Sequence, residues 1–305
     1  MTAFLVRRAI GAVWVVVGVA VAVFLILHLT GDPAAVMMPP EATTEQIAAF
    51  RHNQGFDRPL WVQFGSFAWS AVRGDFGNSL RHGEPALGLA LERFPASIEL
   101  ALSALVLAIV VAVPIGVLAA LRRNSLVDLA ARIFALIGQS APVYWMGIML
   151  ILLFGVQLGW FPVSGIGGLK HLVLPTITLG LFTMAQLMRL TRASMLDVLK
   201  SDYLRTARAK GVAPLVLIWR HALRNAWLPV ITVIGTELVA LFSQAIITET
   251  IFAWPGVARL AVQAIVDRDY PIVEVVVILA ALAFVAINLF VDVMYAVLDP
   301  RIRYE

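Results

Sequence analysis

The sequence predicts an all-α polytopic membrane protein with six transmembrane helices and both termini in the cytoplasm. Three observations carry this. Hydrophobic residues make up 61% of the 305, charged residues only 14%, and the mean hydropathy is +0.89, which lies well beyond a soluble globular chain. Uncharged runs of spanning length, roughly 20 residues each, recur along the chain. Basic residues gather in alternate segments between those runs. With no cysteine, the chain has neither a disulfide framework nor a thiolate metal site.

The first span lies in residues 1–30. A short head ends in Arg7-Arg8, and 9–29 then holds no acidic or basic residue except His28. A signal peptide also starts basic and apolar, but this run exceeds the usual apolar stretch and no A-x-A site follows. The expectation is an uncleaved span with its N-terminus inside. Residues 31–95 form an extracytoplasmic loop region rich in Gly, Pro and mixed charge, with Trp61 and Trp69 suited to the membrane interface. Residues 41–50 and 85–94 have helix-compatible composition.

The core, 96–305, carries spans at about 96–121, 133–156, 172–190, 228–251 and 272–298. Pro114, Pro142 and Pro175 mark kinks or distorted turns, which membrane helices tolerate when neighbours satisfy the freed backbone groups. A cytoplasmic loop occupies 191–227 and an extracytoplasmic loop 251–271. Fifteen of the 23 Lys and Arg fall in segments assigned inside: Arg7, Arg8, Arg122, Arg123, Arg132, eight from Arg189 to Arg224, Arg301 and Arg303. The basic excess is therefore a topology signal, and nucleic acid is set aside as a partner.

Chemical motifs are absent: there is no H-E-x-x-H, G-x-S-x-G or G-x-x-x-x-G-K-[ST]. Any use of ATP must come from another subunit. The pair Gly155 and Gly159 reads as packing. Among the acidic residues in or beside spans, Glu99, Glu249 and Glu274 lie close enough to interfaces to stay hydrated. Asp292 is expected to pair with a basic residue near the inner surface. Glu237 differs. It sits about nine residues into its span, or roughly 13 Å at 1.5 Å per residue, near mid-membrane. It must face a cavity or a buried partner, and the sequence leaves open a pathway-lining role and a structural hydrogen bond.

The most structured basic stretch is 202–229. Asp202 is an N-cap for a short helix, Gly211 a stop, and Pro214 a restart in the first turn of a second short helix. Thr206, Ala207 and Ala209 are small enough to let another surface approach. Such a pair is a peg for a partner rather than a reactive site.

Named motifs add to this reading. They include Leu29-Thr30-Gly31-Asp32-Pro33, Gly55-Phe56-Asp57-Arg58-Pro59 and Arg73-Gly74-Asp75-Phe76-Gly77-Asn78-Ser79. Further on come Pro95-Ala96-Ser97-Ile98-Glu99, Leu158-Gly159-Trp160-Phe161-Pro162 and the run from Arg205 to Gly211. Arg220-His221-Ala222-Leu223-Arg224-Asn225, Glu249-Thr250-Ile251-Phe252-Ala253-Trp254-Pro255-Gly256 and Asp299-Pro300-Arg301-Ile302-Arg303 complete them. In this order the chain resembles, nearly end to end, a permease subunit of ABC importers in the dipeptide, oligopeptide and nickel branch.

That resemblance implies a type I ABC importer permease fold in the plasma (inner) membrane. It also implies a second homologous permease subunit in a heterodimer, two cytoplasmic ATPase subunits or domains that bind ATP and Mg, an extracytoplasmic substrate-binding protein, and surrounding lipids. No cofactor is expected in this chain and no activity as an enzyme of its own. The family's coupling loop docks into the ATPase and begins Glu-Ala-Ala, with a glycine four positions after the last alanine. Here Arg205, Thr206 and Ala207 take those places and Gly211 the glycine's. The arginine in place of glutamate puts in doubt any contact that used the acid. Tyr203, Arg208, Ala209, Lys210 and Arg220 complete the expected coupling set. Glu237, Gln139 and Ser140 are the candidates for the translocation pathway. Phe252, Trp254, Pro255, Gly256, Arg268 and Asp269 are those for an outer cap that meets the binding protein.

Alternating access then follows, with peptide as the expected solute and nickel or another small solute as the alternative. A proton-coupled secondary transporter using Glu237 and Asp292, a membrane enzyme and a purely structural subunit are the rival classes.

Overall fold

The computed structural model describes residues 2–29, 32–38 and 41–298. The Thr30-Gly31 part of one motif and the whole of the 299–303 motif, with Arg301 and Arg303, lie outside the described residues. Among those described, every regular element is a helix, and the one pairing of extended chain is an isolated bridge between Asn78 and Pro85. The chain divides into two compact units, Met1–Ala96 with Pro255–Glu305, and Ser97–Trp254.

In the first unit, α1 (Thr2–Leu29) packs along α13 (Tyr270–Leu298). Val23 and Leu27 meet Tyr270 at one end, and Arg8 pairs with Asp292 at 2.9 Å at the other, so the two helices run antiparallel. The expected partner for Asp292 is thus Arg8. Three helices of the 31–95 region follow: α2 (Pro33–Met37), α3 (Thr44–Gln54) and α4 (Leu60–Val72). Asp32 caps α2 by accepting from the Ala34 amide at 3.1 Å and also pairs with Arg51. A full capping box between Thr43 and Gln46 starts α3.

On α4, Phe64 and Phe67 turn toward Phe24 of α1, with centroids 5.5 and 5.9 Å away. Trp61 and Trp69 are left exposed. Between α3 and α4, the His52 ring 2.6 Å from Asp57 holds that carboxyl below the usual carboxylate range. The short α12 (Val257–Asp267) packs on α13.

In the second unit, α8 (Leu169–Leu199) is the hub. It packs against α6 (Leu126–Ser140), α7 (Val143–Leu150) and α11 (Leu223–Ile251). It also meets α5 (Ala86–Leu121) closely: a Cβ on Gly180 would sit 2.9 Å from the Ala104 carbonyl oxygen. Such a backbone-to-backbone approach is available only to glycine.

Among the described residues, five helices are long and apolar enough to cross a membrane, and a sixth crossing results if one bent pair counts as a span. That pair covers the span expected at 133–156 and has its break at Pro142, where a kink or distorted turn was expected. α6 and the α7 helix, which continues as a π-helical stretch Ile151–Gln157, meet at 110°. Pro142 is the cause, lacking an N–H and forcing Ala141 into an extended conformation (φ −75°, ψ 128°). Pro114 and Pro175, by contrast, lie inside continuous helices. Helix ends also extend past the expected spans: α5 begins ten residues earlier, at Ala86, and α8 runs on to Leu199.

Candidate functional site

The basic stretch leaves α8 through a tight turn at Lys200 and enters α9 (Asp202–Ala209). Ser201, not Asp202, is the N-cap by backbone conformation. Its hydroxyl donates back to the Val198 carbonyl at 2.6 Å. Asp202 is instead the first helical residue, where its charge suits the helix N-terminus, and it pairs weakly with exposed Arg205 at 3.4 Å. Leu204 is the one buried residue of α9, 2% exposed, in a cluster with Met195, Leu217 and Ala222. Ala207, one turn on, packs half-buried against the same cluster. Arg205, Thr206, Arg208, Ala209 and Lys210 are all exposed, so the helix has one anchored face and one open cationic face.

Gly211 ends this helix at φ +80°, a left-handed conformation that costs any other residue. The second short helix expected after it does not exist as a separate element. From Pro214 the chain is helical without interruption to Ile251, through α10 (Pro214–Val216), a π-helical stretch Leu217–Ala222 and α11. The peg is therefore one short helix hinged directly onto a spanning one. Tyr203 ties the two together. Asn225 Nδ2 donates to its hydroxyl at 2.6 Å, and that hydroxyl donates to the His221 carbonyl at 3.4 Å.

Arg220 is exposed on the π-helical stretch, a form that recurs at functional sites because it skews side-chain positions. Beside it, Leu215 is 70% and Trp219 53% exposed. Both are large apolar side chains left uncovered beside the cationic face of α9, a combination suited to protein docking. Neither residue was a candidate in the sequence. The signal was legible only as Leu and Trp within a polar loop.

A second feature supports the same region. Asp128, fully buried in the first turn of α6, receives two hydrogen bonds from Arg192 of α8, at 2.5 and 2.9 Å, and a third from the Asn124 amide at 3.0 Å. Sequence reasoning missed this pair because its members stand 64 residues apart and each resembles an ordinary loop charge.

Within the spanning helices, Glu237 is buried, and Thr183 Oγ1 of α8 donates to its Oε2 at 2.7 Å. Gln139 is half-buried at the end of α6 and Ser140 exposed at the 110° bend. Gln139 lines a groove of about 300 Å³ with Ala131, Arg132, Met188 and Arg189, whereas Glu237 lies elsewhere on the α8–α11 contact. Glu249 corrects the expectation of a hydrated interfacial carboxylate: it is fully buried and accepts from Ser97 Oγ at 2.5 Å. Glu99 is exposed and Glu274 half-buried.

Of the outer candidates, Phe252 and Trp254 are each 1% exposed and Gly256 is buried, with Pro255 half-buried. Phe252 O accepts from the Gly165 amide at 2.9 Å. In the first unit, buried Asp269 accepts from Ser79 Oγ, and Asp267 pairs with Arg81 at 2.5 Å. Arg268 alone of the six presents an exposed side chain. Among the described residues no three His, Asp or Glu side chains gather as a metal site.

Comparison with known proteins places these features in context. The family model "Binding-protein-dependent transport system inner membrane component" matches residues 112–304, and its N-terminal counterpart matches 1–112. The chain is 42% identical to a probable peptide ABC transporter permease protein of Sinorhizobium fredii, across the full length of both. It is 38% identical to the dipeptide transport system permease protein of Alkalihalophilus pseudofirmus and 40% to the glutathione transport system permease protein of Escherichia coli, again over both full lengths. Among solved structures, the methionine ABC transporter MetNI in inward-facing conformations aligns with TM-score 0.58 at 15% identity, covering 70% of this chain and 97% of that one. An amino acid ABC transporter with histidines aligns at 0.51 and 13%, covering 68% and 92%.

Proposed function

The chain belongs to the family of binding-protein-dependent transport system inner membrane components, and from that premise we propose that it is the permease subunit of an ATP-driven peptide importer, forming half of the translocation pathway. The names of its full-length relatives, which specify peptide, dipeptide and glutathione transport, support peptide as the solute class.

In this reading the chain crosses the inner membrane six times, the bent pair α6–α7 counting as one crossing. Both termini and the 191–227 segment face the cytoplasm, as the distribution of Lys and Arg supports. A homologous second permease completes the pathway, two ATPase subunits or domains hold ATP and Mg, and a binding protein delivers peptide outside. Arg268 offers that binding protein an exposed side chain. Phe252, Trp254 and Asp269 act as buried plugs that hold the outer loop in shape. Glu237, Gln139 and Ser140 are assigned to the pathway.

One observation carries the coupling role. α9 buries a single side chain, Leu204, in the bundle and ends at a left-handed glycine, and it sits between the ends of two spanning helices, α8 and α11. A partner that moves α9 moves both helices, as alternating access requires. Tyr203, Arg205, Thr206, Arg208, Ala209, Lys210 and Arg220 then form the docking face, while Ala207 and Gly211 set its position.

The test uses the complete importer in proteoliposomes. Gly211→Pro and Ala207→Trp are expected to insert and assemble, yet to lose substrate-stimulated ATP hydrolysis and uptake of a labelled dipeptide. Undiminished stimulation in both variants overturns the assignment.

A further inference from the structure

The end of the α1–α13 pair that carries Arg8 and Asp292 also holds a groove of about 310 Å³. Arg7, Arg8, Asn288 and Asp292 line it together with the apolar side chains of Val15, Phe284 and Leu289. Gly11 leaves one wall open, since a Cβ there would meet nothing within 4 Å.

Among the described residues the lining holds two arginines and one carboxylate. Arg8 Nη2 meets Asp292 Oδ1 at 2.9 Å. The other oxygen of Asp292 is buried and accepts from no group among the described residues, so that carboxylate serves Arg8 only. Arg7 is exposed and meets no acidic side chain among the described residues. The groove therefore sets two arginines, one carboxylate and Asn288 beside apolar side chains, where the helix pair leaves its apolar run. An inorganic anion satisfies only the first of these features. A molecule with a phosphate head and an alkyl tail satisfies both. Guanidinium groups bind phosphate oxygens through paired N–H donors, and basic pockets between membrane helices suit anionic headgroups.

We infer that this groove binds one anionic glycerophospholipid. Its phosphate lies against Arg7 beside Arg8, and the first part of an acyl chain runs along Gly11, Val15 and Phe284. The lipid stands in for the side chain that Gly11 lacks and holds α1 against α13. With the cytoplasmic N-terminus proposed above, this lipid belongs to the inner leaflet.

The test is native mass spectrometry of the whole importer, delipidated in detergent and titrated with dioleoylphosphatidylglycerol or dioleoylphosphatidylcholine. Phosphatidylglycerol is expected to be retained on this chain in preference to phosphatidylcholine. Arg7→Gln should weaken retention roughly fivefold. Gly11→Leu, which keeps both arginines but fills the wall, should weaken it as well. Equal retention of the two lipids, retention unchanged in both variants, or full displacement by soluble glycerophosphate overturns the inference. So does a photo-crosslinker at position 11 that yields adducts with the second permease instead of lipid. An importer that takes up peptide normally without selective retention refutes the lipid site alone. Selective retention on a chain that supports no peptide uptake refutes the functional reading alone.

Discussion

Arg192 reaches Asp128 through two parallel hydrogen bonds, Nε to Oδ1 at 2.5 Å and Nη2 to Oδ2 at 2.9 Å, and so clamps α8 to the first turn of α6 seven residues before α8 ends. Breaking one side leaves a buried charge without its partner, which costs about 3 kcal/mol. Asp128→Asn should therefore lower the thermal midpoint of the solubilised protein clearly. Arg132→Gln, at an exposed position 3.7 Å from the same carboxylate, should cost no more than about 0.5 kcal/mol of stability and leave the midpoint nearly in place. Equal midpoints for the two variants would refute the clamp.

The arm should separate coupling from stability. Leu204→Ala removes the buried anchor of α9, a change that costs about 2–5 kcal/mol where it acts, but it acts on a local unit that can open by itself. Global melting should hardly move while ATPase stimulation collapses. Trp219→Ala should weaken binding of the ATPase by about 2 kcal/mol, as loss of an exposed aromatic anchor does. Titration of the purified ATPase onto the permease pair reads this directly, and unaltered affinity would remove Trp219 from the docking face.

Glu237 and Thr183 allow a structural role to be told from a transport role. In Glu237→Gln the side-chain oxygen still accepts from Thr183, so stability should change by less than about 1 kcal/mol. If Glu237 borders the pathway, uptake rate or peptide preference changes nonetheless. Thr183→Val leaves the carboxylate without that donor and should cost about 1–3 kcal/mol. Unchanged uptake in Glu237→Gln, combined with a destabilised Thr183→Val, assigns the pair to structure.

Gly180→Val tests the close crossing of α5 and α8. Its Cβ would fall 2.9 Å from a backbone oxygen of Ala104, and backbone cannot step aside as a side chain can. A loss of about 1–3 kcal/mol or more is expected, seen as poor recovery of folded protein after extraction. Gly18→Ala, where a Cβ meets nothing within 4 Å, serves as the control and should be neutral.

The sequence made the spanning helices legible because hydropathy and charge are summed over many residues. The run before His28 and the cluster of Arg and Lys from 189 to 224 needed no partner to be read. Gly211 was legible for a similar reason, since a helix stop is a local property. What depended on distant partners was not. Asp128 and Arg192 look like loop charges until α6 and α8 are brought together. Glu249 sits near a span end, so position alone suggested hydration, whereas Ser97 of another helix encloses it. The 110° bend at Pro142 was signalled by the proline, but a proline alone does not give the size of a bend. The second short helix failed for a further reason: Pro214 is as suitable at the start of a long helix as of a short one.

The way α9 is fastened has an engineering meaning. Apart from Leu204, the flank of Ala207 and the Tyr203 hydroxyl, the bundle asks nothing of that helix, so its outward side chains form an interchangeable handle. Rewriting Arg205, Arg208 and Lys210 to complement a foreign motor's cleft should transplant the power source without touching the conduit.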